Sequence, residues 1–205
     1  MNLAVIAVSS FMIALSGALV PGPLLTITVS ESARRGASTG PLLILGHAIV
    51  EILIIILILS GLSPFLNHET TRYVISIVGG SMLVFMGIMI LKNLRRVRLD
   101  FSAEGGRKGM NLVMTGIVGS LANPYWVIWW VTIGLGYLVS SMKYGIAGVA
   151  VFFLGHISAD LLWYSIISYA VARGRKIMGD ITYKSVLAAC AIFLIFFGAW
   201  FIAAA

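Results

Sequence analysis

Leu45-Gly46-His47-Ala48-Ile49-Val50-Glu51 and Leu154-Gly155-His156-Ile157-Ser158-Ala159-Asp160 carry one pattern, L-G-H-x-x-x-acid, twice in one chain. Each copy sits in a long apolar run. Ten residues before the motif glycine stands another glycine, Gly36 in the first copy and Gly145 in the second. The chain has 3 histidines, and two of them fall in these copies. Glycine alone proves little, because it is common where membrane helices touch. The competing reading is chance likeness between glycine-rich apolar helices, and a His and an acid matched at the same spacing argue against it.

The surroundings of the motif decide the solvent. Of 205 residues, 60% are hydrophobic and 10% charged, and mean hydropathy is +1.05. A soluble domain has roughly 45–50% apolar and about 25% charged residues. The bilayer is therefore the expected solvent. At about 20 residues per span, the length allows six or seven spans. The apolar runs predict six, at 3–28, 40–61, 72–92, 109–135, 144–171 and 184–203. The first run does not read as a cleaved signal, because no basic residue precedes Arg34. The single cysteine, Cys190, lies in an apolar run and has no partner for a disulfide or a thiolate metal cage. It reads as a small core residue.

Span 1 contains Pro21-Gly22-Pro23 and span 4 contains Asn123-Pro124. Proline removes a helix hydrogen bond and clashes with the preceding turn, so both spans are expected to break. Broken backbone at membrane depth needs protein or a water-filled cavity around it. A helix restarting after such a break offers N–H groups and a positive dipole end to an anion. Pro21, Gly22, Pro23, Asn123, Pro124 and Tyr125 are therefore candidate substrate contacts, with a packing kink as the plainer alternative. Trp126, Trp129 and Trp130 fit either an interfacial belt or a cavity wall. Trp163 and Tyr164, just past Asp160, are better placed for the cavity.

The formal charge of +7 is explained by topology. Twelve of the 14 Lys and Arg fall in the loops after spans 1, 3 and 5, and only Arg72 and Lys143 fall on the other side. The positive-inside rule makes the first group cytoplasmic and puts both termini outside the cell membrane. A nucleic-acid role is not needed. The loop 92–108 has the charge to touch anionic lipid head groups. Glu31, Arg34 and Arg35 after span 1 read as membrane anchors, with a cytoplasmic gate as the alternative. His68 reads as a solvated loop residue.

Three spans per half is an odd number, so the second half crosses in the opposite sense to the first. The expected fold is an all-α integral membrane protein, six transmembrane helices in two inverted three-helix repeats, with spans 1 and 4 broken at proline. It forms one membrane domain over 1–205. Repeat one covers about 1–95, the cytoplasmic loop about 92–108, and repeat two about 109–205. Gly87 and Gly198 mark matching places in the third spans. In inverted repeats the substrate site lies near the midplane, beside discontinuous helices.

Glu51 and Asp160 fall near the middle of spans 2 and 5. An ionised group at the bilayer centre costs about 2.5–3.5 kcal/mol on insertion scales and usually marks a pathway or relay. His47 and His156 each lie four residues earlier, on the same helix face as their acid. Histidine changes charge near neutral pH. His47, Glu51, His156 and Asp160 are therefore candidate proton-coupling residues. The plainer alternative is that each His and acid satisfy one another. Two His and two carboxylates also suit a mixed N/O metal site, the alternative assignment for the same four residues. No nucleophile motif supports an enzyme, and no cofactor is called for.

Together these residues resemble the LysE/RhtB family of amino-acid exporters. Pro21-Gly22-Pro23 with Gly36, Gly40 and Gly46 looks like that family's N-terminal signature, and Asn123-Pro124 like its second-half Asn-Pro-Lys. The resemblance covers essentially the whole chain. It implies proton-driven export of amino acids or similar small solutes, with family acids mapping onto Glu51 and Asp160. Two features depart from the pattern. Tyr125 replaces the family's lysine, and Ile49-Val50-Glu51 replaces a small-Gly-Asp triplet. His47 and His156 are not carried over from the family. The wider superfamily also contains metal-ion exporters, which keeps divalent-ion export as the alternative function. The expected partners are a small solute, protons and lipid. A homodimer suits so small a bundle, but no motif fixes one.

Overall fold

Asparagine and proline decide where several helices start. Asn2 and Asn111 accept hydrogen bonds from the backbone N–H of Val5 and Val113. Asn123 accepts from Tyr125 N, with Pro124 in the first turn. Such caps satisfy N–H groups that a helix start leaves open. In the computed structural model, residues 2–20, 22–62, 69–94, 110–174 and 180–203 are described. Among them the chain forms helices and no strand. The helices are α1 (Leu3–Ala18), α2 (Pro23–Arg35), α3 (Thr39–Leu57), α4 (Glu69–Asn93), α5 (Leu112–Leu121), α6 (Pro124–Trp129), α7 (Leu135–Ser141), α8 (Gly145–Gly174) and α9 (Asp180–Ala203).

The first expected span is two helices. α1 and α2 meet at a bend of 75°, at the place where Gly22 and Pro23 stand. The second helix runs beyond the expected end at residue 28. Glu31 pairs with Arg34 at 3.4 Å and with Arg35 at 2.6 Å along the helix, and Gly36 then stops it with φ of 90°. The fourth expected span also breaks, at Ala122 and Asn123 between α5 and α6. It continues through a π-helical turn, Trp130–Gly134, into α7. Gly145 (φ 61°) then starts α8. Only glycine enters the left-handed region at little cost, and it does so here at Gly36, before α3, and at Gly145, the first residue of α8. Pro21 and the basic stretches 95–109 and 175–179 lie outside the described residues, as does His68.

Among the described residues, three stretches are long and apolar enough to cross a membrane: Thr39–Gly61, Ser76–Asn93 and Leu135–Gly174. The bent α1–α2 pair makes a fourth. Leu135–Gly174 is interrupted by the Met142–Tyr144 turn and Gly145. The exterior is apolar, with Val8, Phe85, Leu154 and Phe196 exposed, while His47, Glu51, His156 and Asp160 are buried. That inverts the pattern of a water-soluble domain and suits a protein whose outside faces lipid.

Glycines set the closest crossings. α3 packs on α5, α1 on α8, α4 on α9, and α3 on α8. A Cβ on Gly46 would run into Val113 O of α5, and one on Gly116 into Leu43 O of α3. A Cβ on Gly155 would lie 2.7 Å from Ala7 O of α1. Gly80 and Gly198 face each other across α4 and α9, where each added Cβ would lie within 2.7 Å of the other's carbonyl. Backbones this close gain dispersion contacts that larger residues prevent. A hydrophobic cluster joins α2, α8 and α9 through Leu24, Leu25, Val29, Tyr164, Leu187 and the buried Cys190.

Candidate functional site: a buried His–acid quartet

α3 and α8 cross at their motifs, and the crossing assembles four ionisable side chains. Each histidine lies between the acid of its own helix and the acid of the other. His47 Nε2 is 3.3 Å from Glu51 Oε1 and 3.6 Å from Asp160 Oδ2. His156 Nε2 is 3.3 Å from Asp160 Oδ2 and 3.7 Å from Glu51 Oε2. The i,i+4 spacing supplies the two contacts within a helix. The helix crossing supplies the other two. The residue exposures are 7% for His47, 1% for Glu51, 5% for His156 and 6% for Asp160, so bulk water solvates none of them.

Neighbours orient the quartet. Ser120 Oγ donates to Gly116 O at 2.7 Å. A hydroxyl has one proton to donate, so Ser120 accepts from His47 Nδ1–H at 2.8 Å. His47 therefore turns Nε2 toward the two acids. Trp126 Nε1 and Trp130 Nε1 both donate to Glu51 Oε1, at 2.6 and 3.1 Å. They sit one turn apart, so they reach the same oxygen from one face. Glu51 Oε2 is left toward His156. The His156 ring packs edge-on against Trp129 at 4.6 Å between centroids. Its Nδ1 has no hydrogen-bond partner among the described residues, and neither has the buried Asp160 Oδ2.

The quartet opens on a cavity of about 60 Å³ that also touches Ala14, Gly17, Asn123, Tyr125, Trp126, Trp129 and Tyr164. One water needs about 10–15 Å³ of such space, so the cavity beside the quartet holds a few waters. Gly17 gives Trp129 its room, since a Cβ there would lie 3.1 Å from the indole nitrogen.

Of the residues singled out from sequence, His47, Glu51, His156, Asp160, Asn123 and Tyr125 meet at this cavity. Gly22 and Pro23 are buried at the α1–α2 bend and do not line it. Pro124 starts α6 beside it. Trp163 is half-buried and packs against the cluster of Ala18, Leu24 and Tyr164. Tyr164, one residue on, takes the cavity position. Asn123 has a capping role through its side chain, which the Asn-Pro pair alone left open. Ser120 gave no signal in the sequence, being one small polar residue in an apolar helix.

A family model described as LysE type translocator matches residues 15–205. A Pseudomonas aeruginosa protein named "Chemotactic transduction protein ChpE" is 30% identical over 65% of this chain and 68% of its own length. A Bacillus subtilis protein named "Putative amino acid efflux protein YcgF" is 22% identical over 96% of this chain and 94% of its own. No solved structure matches.

Proposed function

Since this chain belongs to the LysE type translocator family, whose members are membrane transporters and not enzymes, we propose that it is a proton-coupled secondary exporter of amino acids or related small solutes. The observation that carries this reading is the buried quartet at the α3–α8 crossing, beside two broken helices. A buried quartet of ionisable groups is costly to insert and has no use in a passive anchor. The B. subtilis relative is named for amino acid efflux, which supports the solute class. The P. aeruginosa relative's name states no solute. A divalent-metal exporter is not favoured, because the relative whose name gives a cargo gives an amino acid.

In this reading the chain crosses the cell membrane six times, as two inverted triplets: α1–α2, α3 and α4, then α5–α7, α8 and α9. Three features support that reading. A break interrupts the first span of each triplet. A left-handed glycine stands before α3 and at the start of α8. The first piece of each broken span packs on the motif helix of the other triplet. The basic loops lie in the cytoplasm and both termini outside. The solute sits between the α1–α2 and α5–α6 breaks, near Asn123 and Tyr125. Glu51 and Asp160 exchange a proton through His47 and His156, and their charge state sets which side the cavity opens to.

Efflux from loaded proteoliposomes under an imposed pH gradient tests this. The expected result is that Glu51→Gln and Asp160→Asn each abolish gradient-driven efflux while the protein still reconstitutes. Unchanged coupled efflux in both variants removes the coupling assignment. A melting-temperature screen over amino acids identifies the solute.

A further inference from the structure

Three residues of the quartet bring their ligand atoms close enough to share a metal ion. Four-coordinate zinc sites have bonds of about 2.0–2.2 Å to His N and carboxylate O, which places neighbouring ligand atoms about 3.3–3.5 Å apart. Here His47 Nε2 lies 3.3 Å from Glu51 Oε1 and His156 Nε2 lies 3.7 Å from Glu51 Oε2, while Asp160 Oδ2 lies 3.6 and 3.3 Å from the same two nitrogens. One ligand atom each from His47, Glu51 and His156 lies within 4.8 Å of the others. Asp160 Oδ2 is buried without a hydrogen bond and faces both imidazole nitrogens. Metal-binding histidines donate their other nitrogen to a fixed acceptor, and His47 does so to Ser120. Trp126 and Trp130 hold one oxygen of Glu51 and leave the second toward His156. Two ionised carboxylates carry a charge of −2, so one divalent ion beside neutral imidazoles neutralises the cluster.

We propose that His47, Glu51 and His156, with Asp160 beside the two imidazoles, hold a first-row divalent transition cation, with Zn²⁺ as the probe, and that the bound ion clamps α3 to α8 and halts export. The ion is a bound inhibitor, not cargo. Imidazole and carboxylate ligands favour such ions over Ca²⁺ and Mg²⁺, which take oxygen ligands in larger or octahedral shells. His47 and Glu51 come from α3 and His156 from α8, so an ion between them resists any motion that parts the two helices. The clamp rests on the transport reading above. The binding does not.

Binding is tested by calorimetry on the full chain in detergent, free of any affinity tag and stripped with chelator. ZnCl₂ is titrated, with MgCl₂ as control. The expected result is saturable binding of one Zn²⁺ per chain and none of Mg²⁺. Ser120→Ala keeps every ligand and is expected to weaken Zn²⁺ at least about tenfold. His156→Gln is expected to abolish binding in protein that elutes as a single detergent complex. X-ray absorption at the zinc edge is expected to show imidazole scattering and about 2.0–2.1 Å ligands. No saturable binding by the wild-type protein overturns the site, whatever the variants do. So does undiminished binding by folded His156→Gln. The clamp is read in two ways, as a Zn²⁺-dependent rise in Tm and as chelator-reversible loss of efflux. Binding that moves neither overturns the clamp and leaves the site. If no solute is exported at all, the transport reading fails while the calorimetry still decides the site.

Discussion

Ser120 has one hydroxyl proton, and Gly116 O takes it. Its oxygen is then the acceptor that keeps His47 turned toward the acids. Ser120→Ala removes that acceptor and leaves a buried imidazole N–H unpaired, at a cost of about 1–3 kcal/mol. A lower melting temperature in detergent is expected, and an unchanged one rules the bond out as a support. The indoles make a parallel case. Trp126→Phe and Trp130→Phe each keep a ring and delete one donor to Glu51. A hydrogen bond to a charged group contributes about 1.5–3 kcal/mol, so each variant is expected to slow efflux. Efflux at the wild-type rate in both would show that Glu51 needs neither indole. At this scale the sequence showed each histidine with its own acid, because i,i+4 spacing is local. It did not show the cross-helix contacts, the Ser120 acceptor, or which of the tryptophans reach Glu51. Those depend on how α3, α5, α6 and α8 meet.

Glycine has a different role at each place along the helices, and a contrast between two positions tests this. A Cβ at Gly46 would meet Val113 O of α5, whereas one at Gly136 on α7 meets nothing within 4 Å. Gly46→Leu is expected to push α3 and α5 apart and lower the melting temperature sharply. Gly136→Ala is expected to be neutral or to stabilise by up to about 1 kcal/mol, because alanine is the better helix former. Equal effects at the two sites would contradict the close crossing. The breaks at Gly22-Pro23 and Asn123-Pro124 were legible, since proline's missing N–H acts locally. The end of the first broken span was not. Hydropathy fades after residue 28, yet the helix runs to Arg35, where charged side chains pair along it and Gly36 stops it. Apolar content marks what lies in lipid, and helices continue beyond it where polar pairing sustains them.

For the whole molecule, the distribution of Lys and Arg makes a prediction about sidedness. Cys190 is the only cysteine, so Cys190→Ser gives a blank background for single-cysteine labelling. Ser102→Cys in the 92–108 loop is expected to react with a membrane-impermeant thiol reagent in inside-out vesicles and not in intact cells. The opposite pattern would invert the proposed topology and place both termini in the cytoplasm. Membrane residence was legible at this scale, because 60% apolar residues leave no arrangement that hides them from water. The two helices that carry the doubled motif, α3 and α8, pack together.

Composition, proline placement and the doubled L-G-H-x-x-x-acid motif determined by themselves that the chain is helical, membrane-bound, twice broken, and furnished with two buried His–acid pairs. All of these follow from chemistry within a turn or two of the chain. Only the tertiary structure decided that the two pairs form one quartet with His–acid distances of 3.3–3.7 Å. It also placed Tyr164 rather than Trp163 at the cavity, and it gave Ser120 its part. The reason is physical. A helix face is written in the sequence at 3.6-residue intervals, but which faces meet depends on the close backbone approach that Gly46, Gly116 and Gly155 permit between helices far apart in the chain.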